Sequence, residues 1–280
     1  MNELALAGSL AVSARWEGGC LHDWRVRLVR PPVGAALAGL EPDEALARVP
    51  LYFSLCSGAQ REAGRLALAA AGIPLGDGPP AWSLWAECLH EHLWRLLLDW
   101  PRTFGEAPAI ELFATWRAAR ARGRLALVEA TRRLLEGEVF GGPGGGLVAR
   151  GLLRLQAQEG TAPVCAGLEA RGASIRAAAE ELSRDLVYPH GTVGDMLAGR
   201  GEAWVHTARG ALHHRVHVNG ERVLAWLIEA PTDRNFADET GIVRRLPPHL
   251  PTLAAARTAV ERAVLLLDPC VPFVVEVDNA

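Results

Sequence analysis

The pattern of hydrophobic and polar residues indicates strands near the N-terminus. Apolar and polar residues alternate through LALAGSLAVSARW and again through DWRVRLVRP, with a Glu-Gly-Gly turn at 17–19 between the two runs. Alternation with a period of two is the pattern of strands that bury one face, and turn residues between two such runs indicate a hairpin. The N-terminal segment is therefore predicted to be a β hairpin packed by one face.

From Pro42 onward the apolar residues recur at helical spacing. A helix with this spacing turns one apolar face toward a core, and glycine or proline after a periodic run ends it. The predicted helices cover 43–49, 61–72, 81–99, 106–122, 124–136, 147–158 and 167–187. The segment GGPGGG at 141–146 interrupts them. It lacks the lysine and hydroxyl residue of a phosphate-binding loop, so we interpret it as a connector.

Strand patterns return after the long helical region. GEAWVHTA (201–208) and ALHHRVHV (211–218) alternate, and an Asn-Gly turn at 219–220 leads into RVLAWLIEA (222–230). The Asn-Gly pair is a strong hairpin signal. A loop follows, and a last helix is predicted over 252–267. The whole pattern predicts an α+β fold, a single domain over 1–280 in which a central helical bundle is framed by N- and C-terminal β hairpins.

Composition and charge narrow the classes of partner. Half of the residues are hydrophobic, the formal net charge is -3 and the sequence pI is about 6.3. We expect no nucleic acid and no membrane as partner, since both favour a clustered basic surface. The apolar start of the chain follows Met-Asn-Glu rather than a positively charged leader, which argues against a secretory signal. A cytoplasmic protein is expected.

Two of the five cysteines stand at predicted element boundaries. Cys56 precedes a predicted helix, and Cys270 follows one across an Asp-Pro step. A lone cysteine is more often a small buried hydrophobe than a ligand. At such boundaries, however, thiols can be exposed and have a lowered pKa. If the fold brings these two together, two soft ligands face one metal, which favours iron, zinc or copper(I).

The histidines give a weaker metal signal. LHEHLW lacks a second histidine four residues after the first, so His90 and His92 point to different faces of a helix. In the strand ALHHRVHV, His213 and His217 lie on one side and His214 on the other. We interpret these histidines as a solvated or hydrogen-bonded strand face rather than as ligands.

The order and spacing of these motifs resemble the large subunit of nickel-iron hydrogenases. The resemblance is greatest to the shortened, non-catalytic relatives of that subunit, the HupK/HoxV-type hydrogenase maturation proteins. It extends over nearly the whole chain and is strongest at 37–72 and 203–276. The family's two metal motifs each contain a cysteine pair and a histidine, and here each pair keeps one cysteine. The matching residues are Phe53, Cys56 and Gln60 in the first motif, and Asp268, Pro269, Cys270, Phe273 and Glu276 in the last.

Other family segments are better kept. Thr207 to His214 resembles Ala-Pro-Arg-Gly-x-Leu-x-His and keeps Arg209, and Pro231 with Thr232 begins a segment that resembles Pro-Thr-x-Trp-Asn. In the hydrogenases these residues surround the cyanide and carbonyl groups on iron. The resemblance therefore implies that Arg209, Pro231, Thr232 and Asp268 form a pocket for such a unit. The family's proton-transferring glutamate is replaced by Ala7.

The resemblance implies a scaffold in hydrogenase maturation rather than an enzyme. It would bind the Fe(CN)2(CO) unit transiently through Cys56 and Cys270 and pass it on, and no nickel is expected because two of the four nickel thiolates are missing. The implied partners are the hydrogenase large subunit precursor and a small maturation chaperone with an N-terminal cysteine. In the enzyme the residue matching Cys270 binds nickel only, so either Cys270 turns to the iron or a partner supplies the missing thiolate. The alternatives are a reduced hydrogenase-like metalloenzyme and a metal-free recruitment protein for maturation factors.

Overall fold

The computed structural model describes residues 8–53, 55–141 and 145–279, which form two β-sheets and a set of helices. Ala7 and the middle of the glycine-rich connector, residues 142–144, lie outside the described residues. The mixture of helices and strands matches the predicted α+β class. No helix in the described ranges is long and apolar enough to cross a membrane.

The first sheet joins the two ends of the described chain. Strands β1 (Ser9–Glu17) and β2 (Cys20–Val29) form the predicted antiparallel hairpin, turning at two glycines with positive φ. Strand β7 (Phe273–Asn279) then pairs in parallel with β1, so that the strand order is β2-β1-β7. The sequence pattern did not predict β7. Its pairing places the segment just before Phe273 beside Leu10, whose backbone N–H donates to Pro272.

The second sheet is an antiparallel meander with the order β3-β4-β5-β6. Its strands are β3 (His190–Asp195), β4 (Arg200–Thr207), β5 (Gly210–Val218) and β6 (Val223–Glu229). The predictions for the last three are confirmed, whereas β3 was not predicted. Helix α3 (Ser57–Ala70) packs on this sheet so closely that a Cβ at Gly201 would lie 2.0 Å from the Ala67 carbonyl oxygen. Glycine there permits the close approach of helix and strand.

Twelve helices lie between and around the sheets in the described ranges. They are α1 (Val33–Leu37), α2 (Pro42–Arg48), α3, α4 (Ala81–Trp94), α5 (Trp100–Thr103), α6 (Ile110–Arg120), α7 (Arg124–Leu134), α8 (Leu147–Gln156), α9 (Ala162–Arg184), α10 (Pro231–Asn235), α11 (Thr240–Val243) and α12 (Leu253–Leu267). A 3₁₀ turn at Val49–Tyr52 follows α2, and wide π turns at Arg95–Asp99 and Leu135–Val139 follow α4 and α7. The helices predicted over 81–99 and 124–136 are therefore not regular to their ends.

Helix α3 begins at Ser57, directly after Cys56 and four residues before the periodic run that starts at Arg61. The reason is a cap from another part of the chain. Both carboxylate oxygens of Glu87 on α4 accept hydrogen bonds, from the backbone N–H groups of Gly58 and Ala59, each at 2.8 Å. These donors are among the N–H groups that a helix leaves unpaired at its start. A cap supplied 28 residues away leaves no local sequence signal.

The buried residues form two clusters that meet at the start of β7. The larger cluster lies among the helices and the second sheet and includes Phe53 and Cys56. The smaller one lies between the first sheet and α12. Phe273 packs against both, and Cys270 packs against the smaller one. The segment that carries Cys270 therefore lies at the junction of the two clusters.

Candidate functional site

Cys56 and Cys270 meet at this junction although they lie 214 positions apart in the sequence (270 minus 56). Cys56 is the residue before α3, and Cys270 follows the end of α12 by three residues. Their side chains lie close enough for each to shift the pKa of the other. Cys56 is buried with 6% of its surface exposed, and Cys270 is half-buried. The structure thus brings together the two sulfurs that the sequence singled out.

The two thiols have opposite pKa shifts. The interaction with Cys56 lowers the pKa of Cys270 well below the usual range, against the effect of burial, with support from nearby arginines. The same interaction and the burial of Cys56 raise the pKa of Cys56. The thiolate form is therefore more favoured at Cys270 than at Cys56. The expectation of a lowered pKa was wrong for Cys56, because that thiol is buried beside a thiolate.

Arg30 is the charged residue that contacts the Cys270 sulfur. Its Nη2 donates to Cys270 Sγ at 3.2 Å, and its Nε donates to the Asp233 carboxylate at 2.9 Å. Arg30 directly follows β2, and Ser9 of β1 pairs with Val29 at that end of the hairpin. The parallel pairing of β1 and β7 brings the same end close to Cys270. Sequence reasoning missed Arg30 because this pairing had not been predicted.

Thr232 contacts Cys270 through one hydroxyl group. The hydroxyl donates to Cys270 Sγ at 3.2 Å and accepts from the Cys270 backbone N–H at 3.1 Å. Thr232 is fully buried and stands at the second position of α10, after Pro231, whose ring is suited to the first position of a helix. The hydroxyl therefore fixes both the sulfur and the backbone of the segment that carries it.

Arg209 lies in the turn between β4 and β5 with its guanidinium in the protein interior. The side chain is 3% exposed. It donates to the Asp268 carbonyl at 2.7 Å, lies 3.3 Å from an Asp268 carboxylate oxygen and forms an ion pair with Glu91. The resemblance implied that Arg209 lines a pocket for the Fe(CN)2(CO) unit. The structure instead uses these donors inside the protein, and Arg209 acts on the thiols through its charge, which favours both thiolates.

Asp268 anchors the segment before Cys270. It ends α12 in a left-handed conformation with φ 53°, and its carboxylate contacts Arg95 at 2.7 Å and Arg171 at 3.1 Å in addition to Arg209. Burial alone would raise the pKa of Asp268, but the three guanidinium groups together hold it below its usual range. Asp268 was predicted to bind the unit itself. With both oxygens engaged by arginines, its contacts in the structure position the segment instead.

Glu91 is a buried carboxyl group that sequence reasoning missed. It is 3% exposed on α4, and burial raises its pKa to about 8 although Arg209 opposes the shift. A carboxyl group with a pKa near neutrality beside two thiols can hold or release a proton at physiological pH. No local pattern marks it, since Glu91 stands between His90 and His92 in a run that reads as an ordinary helix.

Apolar residues and a hydrogen-bonded amide complete the surroundings. Phe53 and Pro231 are buried, and Phe273 is half-buried. The amide nitrogen of Gln60, one turn into α3, lies 3.9 Å from Cys56 Sγ as a donor. The two thiols thus lie between apolar side chains, with polar donors on both sulfurs.

The histidines do not form a metal cluster. His214 is fully buried, and His213 and His217 lie on the other face of β5, as the alternation predicted. His92 is buried near Arg171, while His90 lies among aromatic rings. Within residues 8–53, 55–141 and 145–279, no group of three or more His, Cys, Asp or Glu side chains is placed to hold a metal ion.

Relatives of the chain carry names from hydrogenase formation. The chain is 29% identical to the hydrogenase expression/formation protein HupV of Azotobacter chroococcum mcd 1, over 98% of this chain and all of that protein. It is 26% identical to HupK of Azotobacter vinelandii, again over 98% of this chain and all of that protein. A shorter match, 37% identical, covers 37% of this chain and 33% of HupK of Rhodobacter capsulatus. No family model matches.

Solved structures with a similar fold are hydrogenases. A chain of an NAD+-reducing [NiFe]-hydrogenase superposes with a TM-score of 0.55 at 13% identity, over 90% of this chain and 93% of that one. A chain of the Ni-Fe-Se hydrogenase from D. vulgaris Hildenborough superposes with a TM-score of 0.59 at 11% identity, over 91% of this chain and 94% of that one. The predicted hydrogenase large-subunit-like fold is confirmed, and the full-length relatives confirm the resemblance to HupK-type hydrogenase formation proteins.

Proposed function

We propose that this chain, a homologue of HupV and HupK hydrogenase expression/formation proteins, is a scaffold that holds the Fe(CN)2(CO) unit before its transfer to the hydrogenase large subunit. The relatives support a role in hydrogenase maturation. The iron cargo and its transfer are our proposal. The observation that carries it is the meeting of Cys56 and Cys270, whose side chains lie close enough for each to shift the pKa of the other.

Two neighbouring thiols suit a shared metal. A thiolate sulfur lies about 2.3 Å from a bound metal ion such as zinc, so two sulfurs on one metal lie roughly 3 to 4 Å apart. We expect Cys56 and Cys270, which already act on each other's pKa, to reach that spacing when iron binds. An iron that arrives with three diatomic ligands then needs only two protein ligands to become five-coordinate. The two thiols supply that number, so the described site is matched to a partly ligated metal.

The charges around the thiols suit an anionic complex. Iron(II) with two cyanides is neutral, and two thiolates add two negative charges. Arg30 and Arg209 provide two positive charges beside the sulfurs. Arg30 and Thr232 offer donors to cyanide nitrogen once metal bonds replace their contacts with the sulfur. Phe53, Pro231 and Phe273 provide apolar surface for the carbonyl group.

Loading and transfer are ligand exchanges without redox change. When iron binds, the Cys56 thiol gives up its proton to solvent, and both sulfurs bond to the metal as its bonds to the donor protein break. On transfer, these two bonds break as thiolates of the hydrogenase large subunit bond to the iron, while the diatomic ligands stay on it. We expect the small chaperone with an N-terminal cysteine to take part in loading. We expect no nickel, because its four-thiolate environment needs two cysteines that are phenylalanines here.

The experiment is infrared spectroscopy of the protein produced together with the hydrogenase maturation machinery. We expect cyanide and carbonyl bands, and iron without nickel in the purified protein. Cys56→Ala and Cys270→Ala should each remove the bands. Cys88→Ala is a matched control, since Cys88 is also buried, at 2% exposed against 6% for Cys56, but lies on α4 near Tyr188. The Cys88→Ala protein should keep the bands.

Other outcomes would support other functions. Wild-type protein from such cells with neither bands nor iron contradicts the proposal. If cells carrying the Cys56→Ala/Cys270→Ala protein still mature active hydrogenase, a metal-free recruitment role fits better. Hydrogen-dependent dye reduction by the purified protein would indicate a reduced metalloenzyme.

A further inference from the structure

A chain of buried hydrogen bonds leads from the second sheet to the Cys56 sulfur. The Trp226 indole donates to His214 Nδ1 at 3.1 Å, His214 Nε2 lies 2.7 Å from the Gln60 side-chain oxygen, and the Gln60 amide nitrogen lies 3.9 Å from Cys56 Sγ. Gln60 and His214 are 0% exposed and Trp226 is 4% exposed. The chain joins β6, β5 and α3 and ends at the thiol site.

The direction of every bond in this chain is fixed by the indole. An indole N–H can only donate, so His214 Nδ1 must accept. The single proton of the neutral imidazole is then on Nε2, which donates to the Gln60 oxygen. This leaves the Gln60 NH2 group directed at Cys56. Burial lowers the pKa of His214 to about 3, so the imidazole stays neutral at physiological pH.

Packing holds these groups in place. Gly64 lies one turn after Gln60 on α3, and a Cβ there would come within 2.8 Å of the Trp226 ring and 3.3 Å of His214 Nδ1. Glycine at this position lets both rings lie directly against the helix. The Gln60 amide therefore has little freedom to turn its oxygen toward the sulfur.

We propose that Gln60, held by His214 and Trp226, positions a permanent N–H donor on the Cys56 sulfur and thereby weakens the bond of that sulfur to a metal. The metal-binding part of this inference rests on the proposed function. A hydrogen bond to a thiolate withdraws electron density from sulfur, and such bonds tune metal centres. An amide, unlike histidine, keeps its donors at every physiological pH. The donor favours release of the cargo, which a transfer scaffold requires.

The first test measures the thiols without any metal. The deprotonation of Cys56 and Cys270 is followed by thiolate absorbance near 240 nm, after subtraction of the titration of the Cys56→Ala/Cys270→Ala protein. Gln60→Leu removes the donor and should raise the pKa of this deprotonation by about half a unit to one unit. Trp226→Phe frees the His214 imidazole to turn. It should raise the same pKa by a smaller amount.

Trp100→Phe is the matched control. Trp100 is as buried as Trp226, and its indole nitrogen has no hydrogen-bond partner among the described residues, so the substitution removes the same volume without a hydrogen bond. It should leave the titration unchanged. If Gln60→Leu and Trp226→Phe, folded by circular dichroism, both titrate like the wild type, the inference is overturned. Trp226→Phe also decides the case should Gln60→Leu fail to fold.

The second test uses the loaded protein. Without the donor, the Cys56 sulfur gives more electron density to iron, and iron gives more to the carbonyl group. Gln60→Leu should therefore move the carbonyl infrared band to lower wavenumber, and Trp100→Phe should not. A shifted titration with no bands even in the wild type would refute the proposed function but keep the hydrogen-bond chain. Bands that are identical in wild type and Gln60→Leu would overturn the tuning role while the proposed function stands.

Discussion

Replacing Arg30 by glutamine should raise the pKa of the Cys270 thiol. Arg30 donates to the Cys270 sulfur at 3.2 Å and brings a positive charge, and its side chain is 21% exposed. Glutamine is shorter and neutral, so both the charge and the contact are lost. The thiolate form of Cys270 is then less stable, while the neutral thiol is little affected.

The size of the shift follows from the hydrogen bond. A hydrogen bond to a charged group contributes about 1.5 to 3 kcal/mol, and one pKa unit corresponds to about 1.4 kcal/mol. Loss of the whole contact would raise the pKa by roughly one to two units. The Cys56 thiol, Thr232 and Arg209 still stabilise the thiolate in the variant. We therefore expect a shift of about one unit.

The assay is alkylation of Cys270 by iodoacetamide as a function of pH, with the modified peptide quantified by mass spectrometry. Only the thiolate reacts, so the midpoint reports the pKa. Arg27→Gln is the control, because Arg27 is an exposed arginine on β2, the strand that Arg30 follows, and should leave the midpoint unchanged. A midpoint in Arg30→Gln equal to that of the wild type would refute the assignment of Arg30 as the group that stabilises the thiolate.

Three further predictions concern stability. Arg209→Gln leaves Glu91 without its cation, and at pH 9, above the Glu91 pKa of about 8, it should destabilise the fold by about 3 to 5 kcal/mol, measured by urea unfolding. Thr232→Val removes a buried hydroxyl that both donates and accepts, and should cost about 1 to 3 kcal/mol in the same assay. Buried His214 and His92, each with a pKa of about 3 against 6.5 when unfolded, bind a proton only after unfolding between these values. Each of these two histidines therefore lowers the free energy of unfolding by about 1.4 kcal/mol per pH unit as the pH falls below 6.5. Glu91 has the opposite effect. Its pKa is about 8 in the folded protein against 4.5 when unfolded, so between these pH values only the folded protein binds this proton, and the fold becomes more stable as the pH falls.

The net effect of these groups between pH 6.5 and 4.5 is a loss of stability on acidification, because two histidines outweigh one carboxyl group. Equal urea midpoints at pH 6.5 and 5, or a higher midpoint at pH 5, would contradict it. Arg132→Gln, in an exposed ion-pair network on α7, is the control for Arg209→Gln and should change the urea midpoint little. An Arg209→Gln protein as stable as Arg132→Gln would show that Glu91 does not depend on the cation. A Thr232→Val protein with wild-type stability would show that Cys270 does not depend on the hydroxyl.

Local patterns predicted most of the elements. The β1–β2 hairpin, strands β4 to β6 and the last helix follow from alternation, turn residues and helical spacing, which act over a few residues. The early start of α3 and the presence of β7 depend on partners far along the chain. A cap from Glu87 and a parallel pairing with β1 are tertiary effects, and the residues near them carry no sign of either.

The candidate site divides in the same way. Cys56, Cys270 and Thr232 were found because they stand in motifs that resemble those of a known family. Arg30 and Glu91 were missed because only the folded chain brings them to the sulfurs. The roles expected of Arg209 and Asp268 changed for a physical reason. A buried guanidinium binds the nearest carboxylates, and this ion cluster uses the donors and acceptors that the sequence alone left free.

The parallel pairing of β1 with β7 also determines when the thiol pair can form during synthesis. During synthesis Cys56 leaves the ribosome more than two hundred residues before Cys270, and the nascent chain has neither β7 nor the segment that carries the second sulfur. Domains fold as units, and a contact between such distant residues forms late. The thiol pair therefore comes into existence only after translation has passed residue 279 and the last strand has docked. A chain that stalls earlier lacks the thiol pair.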